Sequence, residues 1–274
     1  MECMNDWIES GLVALAQQAG MRVTITSTQG SVPRGPDTHM LVLPDALFGT
    51  IGGGQLEHQA VAHARAILAG ENRPLQLQQA LGPSLGQCCG GAVTLSFEPV
   101  GAADAVRLRA LLQPVRWPLA LFGGGHVGRA LVQALAPLPF AIRWIDSRDE
   151  IFPTDGPDWV QCEHSSPVQA AVPRLAPDSQ VLIMSFSHAE DLDIVRACLD
   201  RSREQGDLPF IGLIGSRTKW ATFRHRLEAR GYKPDEIARV TCPIGLPGIR
   251  GKAPEVIAAS VVAQLLIERG SAGS

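Results

Sequence analysis

The feature that most constrains this chain is a glycine-rich segment near its middle, Leu119–Ala130. An apolar run ends at Gly123, and Gly125 and Gly128 complete a G-x-G-x-x-G spacing before a helical pattern begins. Such a turn brings unpaired backbone N–H groups and the positive end of a helix dipole to one point, where a phosphate group can bind. The segment therefore predicts a buried strand, a tight turn and a helix N-terminus.

The dinucleotide-binding fingerprint that begins with this glycine spacing also requires an acidic residue at the end of the next strand. Phe140–Asp146 is an apolar strand pattern, and Asp146 lies at the expected spacing of about 20 residues after the glycines. In proteins that bind NAD, this acid accepts hydrogen bonds from ribose hydroxyls. Strand, turn, helix, strand and acid in this order favour a Rossmann-like architecture, and whether its pocket holds a ligand is left open.

Composition excludes several classes of protein. The chain has 274 residues, of which 45% are hydrophobic and 19% charged, with a net charge of −3. This balance indicates a globular protein and argues against a disordered or nucleic-acid-binding one. No apolar run approaches the ~20 residues that span a bilayer, and Met1–Asp6 lacks the pattern of a signal peptide. We therefore expect a cytoplasmic protein with neither nucleic acid nor membrane as a partner.

The pattern of elements changes near residue 100. Before it, strand patterns such as Met21–Ser27 and Ala92–Phe97 flank a helical pattern over Gln55–Leu68. After Trp117, strands and helices alternate, as a parallel sheet requires. We predict an α/β chain made of a mixed α+β N-terminal domain (1–100), a linker with a short helix (101–116) and a Rossmann-like, doubly wound parallel-sheet domain (117–274).

Several short motifs resemble those of the XdhC/CoxI family, the xanthine dehydrogenase accessory factors. In the N-terminal part they are Gly30–Arg34, Ile51–Gly54 with Glu57, and Cys88–Gly91. In the C-terminal part they are Gly123–Gly128, Gly212–Lys219, Pro243–Gly245 and Gly251–Ala258. The resemblance covers nearly the whole chain in the right order, and it identifies the N-terminal part as an XdhC/CoxI-type domain.

The resemblance implies a function that spacing alone does not indicate. It implies a chaperone that binds molybdenum cofactor (molybdopterin), protects it while a terminal sulfido ligand is installed, and delivers it to apo xanthine dehydrogenase. The implied partners are the apo-enzyme and a cysteine desulfurase, and a homodimer is compatible with the pattern. The mononucleotide or dinucleotide form of the cofactor stays open, as does a nucleotide in the Rossmann-like domain.

Candidate ligand-binding residues follow from the chemistry of this cofactor, which carries a phosphate, a pterin and a soft metal. Cys89, beside two glycines, is the thiol we expect at molybdenum. Arg34 is expected either to hold phosphate or to be a solvated loop residue, and Glu57 either to cap its helix or to contact ligand. For Cys3, Cys162, Cys198 and Cys242 we expect the role of small buried apolar residues.

The loops after the later strands supply the remaining candidates, because the carboxyl ends of parallel strands meet at one edge of the sheet. No catalytic residue is predicted. The expected cofactor-binding set is Arg34, Gly52, Gly53, Gly54, Glu57, Cys89, Gly90, Gly91, Gly123, Gly125, His126, Gly128, Asp146, His188, Ser216, Arg217 and Lys252, with Cys89 as the metal ligand.

Two alternatives from other classes are left open. An NAD-dependent oxidoreductase would use the same glycines, with Asp146 on the ribose hydroxyls, but the chain shows no obvious proton donor paired with a substrate clamp. A scaffold without ligand, acting through contacts with the desulfurase and the apo-enzyme, would not need glycine-rich anion-binding turns.

Overall fold

A computed structural model describes residues 6–81, 90–153 and 159–271 of the chain. The chain separates into two units between Pro114 and Val115, each with its own core. In the part that the structure describes, no helix has the length and apolar character needed to cross a membrane.

The first unit is built on a five-stranded antiparallel sheet. Apolar residues alternate along β1 (Gly20–Gln29), so Met21, Val23 and Ile25 share one buried face with helix α2 (Gly54–Leu68). The strand order is β3-β2-β1-β5-β4, with β2 at His39–Val42, β3 at Leu47–Gly49, β4 at Gln76–Ala80 and β5 at Ala92–Val100.

Two further helices complete the first unit. Helix α1 (Asp6–Leu15) and helix α3 (Ala105–Leu112) pack together in a second cluster that includes Leu41 and Leu43. Met40 and Val42 belong instead to the cluster beside α2. Successive residues of β2 are thus buried on opposite faces of the sheet. The short helix predicted after residue 100 is therefore part of this unit.

The second unit contains a six-stranded sheet in which every neighbouring pair is parallel. Its order, β11-β10-β9-β6-β7-β8, is that of a doubly wound Rossmann fold, which confirms the predicted fold class. The strands are β6 Trp117–Phe122, β7 Phe140–Asp146, β8 Val160–His164, β9 Gln180–Ile183, β10 Phe210–Leu213 and β11 Val240–Thr241.

Helices cover both faces of this sheet because its strands are apolar on both sides. Leu119 and Leu121 of β6 lie in one buried cluster, whereas Ala120 and Phe122 lie in the other. Strand order reverses between β6 and β9, and ligands of such sheets bind at the carboxyl ends of strands at this switch point. The helices are α4 His126–Leu135, α5 His188–Glu204, α6 Arg217–Glu228, α7 Pro234–Ile237 and α8 Pro254–Ser271.

Candidate functional site

The glycine turn after β6 lies at the switch point of the second unit. Gly123 has φ +120°, and a Cβ atom there would lie 2.0 Å from the carbonyl oxygen of Met184, in the loop after β9. A Cβ atom on Gly128 would lie 2.1 Å from the carbonyl oxygen of Gly123. Glycine is thus needed at both positions because backbone atoms approach too closely for a side chain.

Gly125 differs from these two glycines because its surroundings are open. Apart from its two chain neighbours, no residue that the structure describes has an atom within 4 Å of a Cβ atom built at Gly125, and both Gly125 and His126 are exposed. Gly125 caps helix α4, and no side chain caps the first turn. The N–H groups that begin a helix lack intrahelical acceptors, so this end of α4 can receive an anion.

Asp146 lies at the end of β7, as predicted, but its carboxylate is already bonded within the protein. It accepts a hydrogen bond from the N–H of Gly124 at 2.7 Å. It also accepts hydrogen bonds from the backbone N–H and the guanidinium of Arg148 at 2.8–2.9 Å. Burial raises the pKa of Asp146, but the bonds from Arg148 and Gly124 outweigh burial and hold the pKa below its ordinary value. The carboxylate is therefore ionised and fixes the glycine turn.

Arg148 connects this buried acid to the surface. Its guanidinium lies 4.6 Å from the ring centroid of Phe186, which is in the loop after β9. Phe186 is 67% exposed, although it is a large aromatic residue. The loops after β6, β7 and β9 thus meet through Gly124, Asp146, Arg148 and Phe186, of which only Asp146 was a candidate from the sequence.

The remaining candidates of this unit lie at the starts of three helices. His188 is exposed at the first turn of α5, with its ring centroid 6.5 Å from that of Phe223. Ser216 caps α6 by accepting a hydrogen bond from the N–H of Lys219 at 3.1 Å. Arg217 begins the same helix, and Lys252 lies in the exposed segment before α8.

Sequence reasoning missed a buried ion pair at the carboxyl ends of β9 and β10. Lys219 donates to Asp191 at 2.5 Å and to the carbonyl oxygen of Ile214 at 2.9 Å. The second carboxylate oxygen of Asp191 accepts from both the N–H and the hydroxyl of Ser185, at 2.8 and 2.7 Å. The pair ties the loops after β9 and β10 together, and of its two members only Lys219 lies within a motif that carried the family resemblance.

Cys242 lies next to this pair. Both side chains adjoin Gly215: a Cβ atom built on Gly215 would lie 2.9 Å from Cδ of Lys219 and 3.3 Å from Sγ of Cys242. Burial raises the pKa of Cys242 to about 11, and the smaller effect of Lys219 opposes it. The thiol is therefore protonated near neutral pH and is a poor nucleophile.

In the first unit, the motifs that carried the resemblance pack against one another. A Cβ atom on Gly91 would lie 2.4 Å from the carbonyl oxygen of Gln29 and 2.5 Å from that of Ser31. A Cβ atom on Gly52 would lie 2.9 Å from the ring of Pro33 and 3.4 Å from Cγ of Arg34. The loop that contains Arg34 thus contacts both glycine motifs, and Arg34 itself is exposed.

Glu57 folds back onto the Ile51–Gly54 turn. Its carboxylate accepts hydrogen bonds from the N–H groups of Ile51 and Gly53 at 3.1 and 3.3 Å, and from the hydroxyl of Thr50. The N–H of Gly52 donates to the Thr50 hydroxyl. Glu57 therefore acts as an internal cap, and two of the expected anion-binding N–H groups already have acceptors.

The cysteines have different environments. Cys198 is buried, as predicted, and burial raises its pKa to about 12. Cys162 is exposed, so the prediction of a buried residue was wrong there, because its strand β8 is the edge of the sheet. Cys3, Cys88 and Cys89, including the predicted metal ligand, lie outside the described residues. Across the described ranges, no three His, Cys, Asp or Glu side chains group as metal ligands.

Comparisons with known proteins agree with this architecture. Residues 119–265 match the model of the XdhC Rossmann domain, and residues 14–78 match that of the XdhC and CoxI family. The uncharacterized protein YqeB of Escherichia coli K12 is 32% identical over 256 residues, which are 90% of this chain. The chain spans only 43% of the length of that relative.

A solved structure shows the same fold over the whole length. The crystal structure of a Bacillus halodurans protein described as a xanthine dehydrogenase superposes with a TM-score of 0.74 at 22% identity, covering 97% of this chain and 96% of the other. This likeness concerns the fold. Because the Rossmann-domain model alone matches more than half of the residues, the chain belongs to the XdhC and CoxI family.

Proposed function

We propose that this protein binds molybdenum cofactor during the maturation of xanthine dehydrogenase, shields it while a cysteine desulfurase supplies the sulfido ligand, and delivers it to the apo-enzyme. Membership of the XdhC and CoxI family supports a maturation role in general terms. In this proposal the chain binds and releases its cargo, and the sulfur transfer is the desulfurase's own reaction.

The open glycine turn of the second unit is the observation that carries the proposal. Gly125 and His126 are exposed at the N-terminus of α4, which no side chain caps, and among the described residues the space beside Gly125 is open. A phosphate group is one of the anions that such a helix end binds. Molybdenum cofactor carries a phosphate, so this turn suits that part of the cargo.

The state of Asp146 argues against the alternative of an NAD-dependent oxidoreductase. A ribose diol needs a free carboxylate at this position. Here the side chain of Asp146 is only 1% exposed and is bonded to Gly124 and Arg148. A dinucleotide would have to displace Arg148 to use Asp146, which favours a ligand recognised in another way.

Cys89 is the proposed ligand of the metal. It directly precedes Gly90-Gly91, and Gly91 packs against the loop that leads to Arg34. A cysteine thiolate is a soft ligand, which suits molybdenum in its dithiolene complex. Arg34 is exposed and makes no hydrogen bond or ion pair within the described residues, so its guanidinium is free to contact an anionic group of a ligand.

The proposal is tested by transfer of cofactor to apo xanthine dehydrogenase. The wild-type protein, Cys89→Ala and the control Cys162→Ala are purified from cells that make the cofactor, and their pterin content is measured before each is mixed with apo-enzyme. We expect Cys162→Ala to behave like wild type, because its thiol lies on an exposed edge strand. Cys89→Ala should carry less sulfido cofactor and activate the target less.

Two results would contradict the proposal. A Cys89→Ala protein that loads and activates like wild type would remove Cys89 from the site. A wild-type protein that carries no pterin and leaves the apo-enzyme inactive would overturn the carrier function itself.

A further inference from the structure

We propose that Phe186 and Arg148 form a recognition surface for the ligand of the second unit, with Phe186 stacking on a planar heterocycle and Arg148 pairing with an anionic group. The inference rests on the proposed function, because it assigns the ring and an anionic oxygen of the cargo to named side chains. The pair is called the Arg148–Phe186 platform below.

The exposure of Phe186 is the first observation. Single exposed aliphatic residues are common on protein surfaces, but Phe186 is the one aromatic residue among the large exposed hydrophobic residues of the described ranges. It follows the buried strand β9 at the switch point, where ligands of this fold bind. Stacking on an aromatic face is a common way to hold a flat ring, and it tolerates different ring types.

The unused donor of Arg148 is the second observation. Asp146 accepts from Nε and Nη2 of Arg148, and within the described part of the chain Nη1 has no acceptor. The guanidinium lies 4.6 Å from the Phe186 ring centroid and therefore covers one face of the ring. The cation thus keeps a donor for an anion beside an aromatic surface that is still largely exposed.

The platform is fixed to the glycine turn by a single carboxylate. Asp146 is buried and bonds both the Gly124 N–H at 2.7 Å and the Arg148 guanidinium at 2.8–2.9 Å. The anion-binding end of α4 and the platform are therefore held together before any ligand arrives. Such preorganisation reduces the ordering that binding requires.

This arrangement also limits what the site can recognise. The fingerprint acid of an NAD site accepts hydrogen bonds from a neutral diol, whereas here the acid is covered and Arg148 is at the surface instead. The site therefore has no free acid for a ribose diol, and it offers a cation and an aromatic face to a flat ring that carries an anionic group. A pterin phosphate has these features.

The test compares pterin retention in three variants with that of wild type. Each protein is expressed in cells that make molybdenum cofactor and passed through gel filtration, and the pterin remaining per chain is measured after oxidation to its fluorescent form. We expect Phe186→Leu and Arg148→Gln to lose about tenfold in retention, the size of one lost stacking contact.

Arg203→Gln is the matched control. Arg203 also stacks on an aromatic ring, that of Tyr232 at 5.2 Å, and is paired with Glu236, but it lies outside the loops of the glycine turn. Because Arg148→Gln also leaves buried Asp146 without its cation, Phe186→Leu at an exposed position is the decisive variant. Melting temperatures recorded for all variants separate lost binding from lost folding.

The outcomes distinguish the inference from the function beneath it. We expect wild type and Arg203→Gln to retain pterin, and Phe186→Leu to retain less pterin while being as stable as wild type. A loaded wild type and an equally loaded Phe186→Leu overturn the platform and leave the carrier function standing. A wild type without pterin overturns the carrier function and the platform with it.

Discussion

Each unit of this protein places a glycine turn before a helix, and the two turns treat a carboxylate in opposite ways. In the second unit, Asp146 comes from the neighbouring strand, is buried, and accepts a hydrogen bond from the N–H of Gly124. In the first unit, Glu57 comes from the helix that the turn begins, and it bonds Ile51 and Gly53 itself. Of these two acids, Asp146 is paired with an arginine, and Glu57 has no such pair among the described residues.

The difference between the two turns shows how a carboxylate of the protein affects the N–H groups at the start of a helix. A helix N-terminus attracts one negative group, and in α2 that group is the protein's own Glu57. At α4 the acid bonds Gly124, which precedes the helix, so the helix end itself has no side-chain cap. Two segments with similar sequence patterns thus differ in whether the protein's own carboxylate bonds to the start of the helix.

The strongest test of the second turn compares its first two fingerprint glycines. Gly123→Ala would place a Cβ atom 2.0 Å from the Met184 carbonyl oxygen at φ +120°, so we expect a loss of about 4 kcal/mol or more, or no folded protein. Gly125→Ala adds its Cβ atom in open space at φ −69°, and should change unfolding free energy by about 1 kcal/mol or less. Urea denaturation measures both, and similar losses for both would contradict the model of the turn.

The buried acid is tested by Asp146→Asn. The variant loses charge-assisted hydrogen bonds to Arg148, so we expect it to be less stable by about 2–3 kcal/mol at pH 7. Because the pKa of Asp146 is lowered by folding, this stability is present above the ordinary aspartate pKa of about 4 and is lost as pH falls through the folded value. Denaturation of both proteins between pH 7 and pH 3 measures the difference, and a gap that widened on acidification would show the opposite linkage.

The first turn is tested by Glu57→Gln, which keeps an acceptor oxygen and removes the charge. We expect a small loss of stability, about 1 kcal/mol, because the hydrogen bonds to Ile51 and Gly53 weaken. Hydrogen exchange of residues 50–56 should become slower in phosphate only in the variant, because Glu57 no longer occupies the helix end. Protection by phosphate in wild type would mean that Glu57 does not exclude anions.

The fold was predictable because it depends on local patterns. Glycine spacing and the alternation of strands and helices predicted the doubly wound sheet and the position of Asp146. Strand β4 was missed because Gln76–Ala80 is a largely polar edge strand, so its apolar period is weak. Helix α1 and the two-residue strand β11 were also missed.

The site was less predictable because its contacts join distant residues. Arg148 is only two residues from Asp146, but its aromatic partner Phe186 lies far along the chain, in the loop after β9. Phe186 follows the apolar run Val181–Met184 after one serine, and nothing in the sequence indicates that its ring is exposed. Asp191 and Lys219 are 28 residues apart, and they meet only because β9 and β10 are neighbours.

The most direct test of the central claim is the content of bound small molecules in wild-type protein purified from cells that make molybdenum cofactor. Pterin and NAD are measured on the same sample. The account predicts close to one pterin per chain and no NAD, because the helix end at Gly125 is open while Asp146 is closed to a ribose. Bound NAD without pterin would contradict it and indicate an oxidoreductase on the same fold.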